Sequence, residues 1–204
     1  MQKVDQATLD QLVEDLNKEP NEYVVSKWIV EKIPVIFNGD YETFIKTKLS
    51  IANKLGVDSC SIIFVGSSCT GFSLNPDKGF KVFDEESDID IAVISHHFFN
   101  IAWRWMRMQD VTLLNKRAKN GIMQHKKHYI FDGTIATDFF LSSLPFGEQW
   151  TKVIKDLEEI QLFKGREIHF RLYQDHKSLI DYHRFNVKRN LPKLLGIEPK
   201  SINL

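Results

Sequence analysis

A chain of 204 residues, 43% of them hydrophobic, has enough apolar surface to bury the core of one ordinary domain without staples. Its 27 Lys plus Arg balance 27 Asp plus Glu, which excludes a global positive field of the kind that marks a nucleic-acid binder by net charge. Two cysteines, Cys60 and Cys69, are too few for a disulfide framework and lack the further ligands of a structural zinc site, so they read as reduced thiols.

Met1 to Leu16 mixes acids with apolar residues and does not read as a secretory signal. No apolar run approaches the roughly 20 residues that span a bilayer, and the expectation is a cytoplasmic protein with no membrane partner. Leu9, Leu12, Val13 and Leu16 recur at helical spacing. After Pro20, Val24, Trp28, Ile29 and Ile33 predict a second helix over Glu22 to Ile33. A third runs from Asp40, a plausible cap, to Leu55, with Gly56 as its stop. Ser61 to Val65 is β-branched and aromatic and reads as a buried strand feeding a turn at Gly66. A polar stretch follows from Ser67 to Ser87, with turn markers at Gly71, Asn75, Pro76 and Gly79.

Asp88 to Ile94 alternates acid and aliphatic residues and then becomes wholly apolar, as in a strand whose first half shows one face to a site. One aromatic-rich helix is predicted from His97 to about Lys119. Tyr129 to Asp132 and Thr134 to Leu141 read as two strands joined by a hairpin turn at Asp132-Gly133. A helix over Glu148 to Ile160, a strand over Glu167 to Tyr173 and a last helix capped by Asp175 and running toward Leu195 complete the chain. The order predicts an α+β class built on a mixed sheet.

The chemistry concentrates at Asp88 and Asp90. Side chains two apart on a strand share a face, so these carboxylates stand side by side, a platform for a hard divalent ion such as Mg²⁺, with Mn²⁺ as the alternative. Upstream, Gly66, Ser67 and Ser68 leave a strand end where backbone N–H groups and hydroxyls can cradle phosphate oxygens. Downstream, Asp138 lies in the apolar run Ile135 to Leu141, where an unpaired acid is costly, and is preferred over the turn residue Asp132 as a third acid. His96, His97, His125 and His128 have no partners at zinc-ligand spacing. Basic residues gather at Arg104 to Lys127 and at His183, Arg184, Lys188 and Arg189, where Tyr182 and Phe185 beside Arg184 can stack a base.

The run Phe64-Val65-Gly66-Ser67, the second glycine at Gly71 and Ser87-Asp88-Ile89-Asp90-Ile91 resemble the DNA polymerase β-like nucleotidyltransferase superfamily, over roughly Ser61 to Ser142. The resemblance implies one domain over 1–204, with N-terminal helices at 1–57, a catalytic core at 58–144 and a helix–strand–helix extension at 145–204. It implies that Asp88 and Asp90 coordinate the metals and the triphosphate, that Ser67 contacts the β or γ phosphate and that Asp138 holds the metal activating the acceptor hydroxyl. The segment between Ser67 and Asp88 is longer than in most members and resembles an inserted hairpin or lid.

The flavour is similar to small bacterial nucleotidyltransferases of defence and toxin–antitoxin settings. That implies an NTP or dNTP substrate, ATP included, a nucleic-acid or protein acceptor, and a partner effector or toxin protein. Three outputs follow: a nucleotide signal or oligonucleotide in antiviral defence, modification of a tRNA or protein, or a non-catalytic nucleotide-binding antitoxin.

Overall fold

The computed structural model describes residues 6–74 and 81–194. Four strands form one mixed sheet: β1 (Ile62–Val65), β2 (Ile89–Ile94), β3 (Thr134–Ala136) and β4 (Ile168–Tyr173), in the order β1-β2-β4-β3. β2 lies antiparallel to β1 and parallel to β4, and β3 runs antiparallel to β4. Helices cover both faces, which makes the class α+β.

Alternation along the strands decides which helices go where. Ile89, Ile91 and Val93 of β2, with Phe64 of β1 and Phe170 and Leu172 of β4, bury one face against α3 (Tyr41–Leu55), α5 (His96–Met108) and α7 (Gly147–Glu158). Ile63, Val65, Ala92, Ile94 and Tyr173 point the other way, onto α1 (Gln6–Lys18), α2 (Asn21–Val25) and α8 (His176–Leu194). On that second face the apolar cover stops at Asp90, which leaves the start of β2 open for a site.

Local signals place several boundaries. The Asp40 carboxylate accepts the Thr43 N–H at 3.0 Å and starts α3, while Gly56, at φ 72°, ends it. Asp175 accepts the Ser178 N–H at 2.7 Å at the start of α8. The second predicted helix is shorter than expected: α2 runs into a π-helical turn over Ser26–Val30.

Three expectations are corrected. The single helix over 97–119 is two, α5 and α6 (Lys116–Gln124), because Asp110 accepts the Thr112 N–H at 2.9 Å in a tight turn and Asn115 caps a new start by accepting the Ala118 N–H. The hairpin at Asp132-Gly133 does not form. Residues 125–129 continue the helical path of α6, and Gly133, at φ 64°, turns the chain into β3, which pairs with β4. Finally, β4, one of the sheet's two central strands, comes from the segment read as an extension. Of the stretch between Ser67 and Asp88, the arms meet at a bridge between Phe72 and Val82; Asn75, Pro76 and Gly79 lie outside the described residues.

Among the described residues no helix is long and apolar enough to cross a membrane. Cys60 is exposed and Cys69 buried, both unpaired. Burial pushes the Cys69 thiol up to about 12, so it stays protonated.

One buried acid ties the N-terminal layer together. Asp15 on α1 is 6% exposed, and its Oδ2 accepts Trp28 Nε1–H at 2.7 Å and pairs with Lys27 Nζ at 2.7 Å. Burial alone would raise its pKa, but the bonds from Lys27, Trp28 and Gln11 outweigh that and hold the carboxyl below its usual value. Asp15→Ala should cost about 1–3 kcal/mol in urea unfolding at pH 7, since it strands the indole N–H and the ammonium. That gap should close as pH falls below the carboxylate range, where the folded state's advantage from a depressed acid is lost.

Candidate functional site

The site is built around the end of β1 and the start of β2. Gly66 leaves β1 with φ 67° and ψ −157°, a conformation essentially restricted to glycine. The turn continues into the short α4 (Ser67–Thr70). β1 pairs with β2 so that Val65 stands opposite Asp90, and the Asp90 carboxylate folds over the turn. A Cβ at residue 66 would lie 2.6 Å from Asp90 Oδ2. Asp88 immediately precedes β2, and the loop before it is braced from β4's side. Arg166 donates to the carbonyls of Asp84 and Ser87, and Ser87 Oγ donates to Asp84 at 2.7 Å.

Gly66, Ser67, Asp88 and Asp90 all line one cavity of about 800 Å³. A concave site of this size is within the range of nucleotide-sized ligands. The rest of the predicted set divides. Ser68 is fully buried and its hydroxyl donates to the Val65 carbonyl at 3.0 Å, so it braces the turn from beneath and is not among the lining residues. Asp138 does not line the cavity either, whereas the turn residue Asp132 does.

The position of Asp138 has a clear cause. β3 pairs Thr134 with Tyr173 and Ala136 with Arg171, and two further residues of ladder would bring Asp138 level with His169. The ladder stops first. Thr137 Oγ1 donates to the Phe170 carbonyl at 2.7 Å, and a 3₁₀ turn over Thr137–Phe139 packs Phe139 against Gly121 of α6. Asp138 accordingly lies near His125, and its carbonyl accepts from Arg117 at 3.0 Å.

β4 supplies what the sequence reading lacked. Ligand atoms of Asp88, Glu167 and His169 all lie within 4.8 Å of one another, close enough to hold a metal ion. His169 stands opposite Asp90 across the parallel ladder, and its Nε2 lies 3.4 Å from Glu167. The cue was the alternation Glu167-x-His169-x-Arg171 within a predicted strand; the missing fact was that this strand pairs with β2.

Arg171, on the same face, lines the cavity and lies between two rings, 5.3 Å from the Tyr182 centroid and 5.7 Å from that of Tyr129. Burial would lower its pKa, but Tyr173, Tyr182, Asp90 and Tyr129 more than offset this, and it remains a cation. Burial first, and Arg171 second, drive His183 down to about 3. His125 is lowered by burial despite the Gly121 carbonyl and Asp138; its Nδ1 lies 2.6 Å from Gly121 O and its Nε2 accepts the Ala136 N–H at 2.9 Å. Both rings are neutral at pH 7.

No protein-family model, curated protein or solved structure matches the chain.

Two expectations follow from this geometry. Gly66→Ala should destabilise the fold by about 1–3 kcal/mol and displace Asp90, read by denaturant unfolding. The unfolded chain protonates its histidines below about pH 6.5 while the folded chain refuses protons at His125 and His183, so stability should fall as pH drops from 6.5. Imidazole ¹⁵N shifts should show His183 still neutral at pH 5.

Proposed function

We propose that the chain is a metal-dependent nucleotidyltransferase, moving a nucleotide from a nucleoside triphosphate to a hydroxyl acceptor with release of pyrophosphate. The observation that carries this reading is the meeting of Asp88, Asp90 and the Gly66-Ser67 turn on one cavity, with the Asp90 carboxylate held against Gly66. The polymerase β-like resemblance rests on those same residues. Phosphoryl transfer asks the protein mainly for positioning and charge compensation, and the cavity combines carboxylates with a fixed cation.

The group that could hold a divalent ion is Asp88, Glu167 and His169, and Asp90, which is not part of that group, offers a further carboxylate on the same cavity. Carboxylates suit Mg²⁺, and an added imidazole suits Mn²⁺ equally. A bound ion would supply Lewis-acid polarisation of the phosphoryl oxygens and a more acidic acceptor hydroxyl. The side chains do the remaining work. Gly66, lacking a Cβ, leaves room for the Asp90 carboxylate, Ser67 brings a hydroxyl to the same wall, and Arg171 draws anionic oxygens inward against the repulsion of the two aspartates. Water must be kept from competing with the acceptor, a task for the arms around Phe72 and Val82 and for α8.

The acceptor divides the biological roles: a nucleotide signal or oligonucleotide for antiviral defence, or a tRNA or protein modified in a toxin–antitoxin setting. Incubation with each labelled NTP and dNTP plus Mg²⁺ or Mn²⁺ should give pyrophosphate and a labelled product, which mass spectrometry assigns to small molecule or macromolecule. Asp88→Ala and Asp90→Ala should each lower the rate by about a hundredfold or more, because a bound ion would lower the barrier by several kcal/mol, and Asp88→Ala should do so with unchanged melting temperature. Undiminished incorporation by both variants would overturn the proposal; triphosphate binding without pyrophosphate release would point to a non-catalytic antitoxin.

A further inference from the structure

If the acid-lined part of the cavity takes phosphates, the remainder has to seat a nucleoside, and one helix face is suited to it. Tyr182, His183, Phe185 and Asn186 of α8 all line the cavity, and residues three and four apart share a face of a helix. Leu179 and Val187, both buried, anchor α8 with Tyr182 packed beside them, and Phe185 stands outside that apolar contact. Tyr182 is already engaged: its hydroxyl accepts from Arg171 Nη1 and its ring carries the guanidinium. Phe185 is different. It is 55% exposed, a large apolar ring lining a concave polar site, with the Arg184 guanidinium 5.5 Å from its centroid. A half-exposed ring in such a place can stack a base on the side away from Arg184. One residue on, the half-buried Asn186 carries a donor and an acceptor on one amide, the pair that matches the N6/N7 edge of adenine.

We infer that α8 carries the base subsite of this cavity, with Phe185 stacking the base and Asn186 reading it as adenine. The inference rests on the nucleotidyltransferase reading only in placing a nucleotide in the cavity, and binding tests it apart from turnover. Isothermal titration calorimetry of the full chain with Mg²⁺ would compare α,β-methylene-ATP, the corresponding guanosine, cytidine and uridine analogues, and inorganic tripolyphosphate. The adenosine analogue should bind best and tripolyphosphate roughly ten- to a hundredfold more weakly, the value of one stacked base. Phe185→Ala should reduce the adenosine analogue to the tripolyphosphate level, Phe185→Trp should retain its affinity, and Asn186→Ala should level the four bases. Equal binding of the adenosine analogue and tripolyphosphate by the unmodified protein, or unchanged affinity in Phe185→Ala, would overturn the subsite. Base-dependent binding by a protein that releases no pyrophosphate would instead sink the catalytic reading and leave the subsite standing.

Discussion

The close approach of Asp90 to Gly66 constrains the polar wall of the cavity. The carboxylate occupies the volume in which any other residue would carry its side chain, so the turn after β1 and the acid on β2 determine one another's position. The antiparallel pairing of β1 and β2 brings them together, and a backbone with positive φ at residue 66 makes the contact tolerable. From that contact the chain drops into α4, whose Ser68 and Thr70 hydroxyls satisfy carbonyls of the turn itself. The turn is thus braced from below and covered on one side by the Asp90 carboxylate.

Charge in the cavity is sorted by burial. Asp88 and Asp90 occupy the rim of β2, Arg171 lies further along β4, and the groups behind it are kept uncharged: Tyr173 is buried and its hydroxyl is pushed up by burial, while His183, 3.4 Å from that hydroxyl, is pushed down. A neutral wall behind the Arg171 guanidinium directs that cation's field toward the carboxylates. Lys81, paired with Asp84, also lines the cavity and adds a more exposed positive charge.

Much of this was legible from the residues because the relevant signals are local. The cap at Asp40, the stop at Gly56, the strand ending in Gly66 and the acid–aliphatic alternation from Asp88 each depend on a few neighbouring residues, and each falls where expected. The errors share one origin. Whether Asp138 continues a strand depends on Thr137 finding the Phe170 carbonyl and Phe139 finding Gly121, both distant in sequence. The roles of Glu167, His169 and Arg171 depend on β4 inserting between β2 and β3, a fact of topology that no window of sequence carries. Even the hairpin signal at Asp132-Gly133 marked a true turn, but the helical path before it left no first strand to pair.

The parallel pairing of β2 with β4 also has a temporal side. Ile89 finds its neighbour in Ile168, so during synthesis the paired aspartates leave the ribosome well before the strand that carries Arg171. Contacts of such long range are the slow ones in folding. Until β4 docks, the sheet has an open edge at β2 and two adjacent negative charges without their basic neighbour. A nascent or truncated chain would therefore hold the acidic half of the cavity without its floor until β4 has been made and docked.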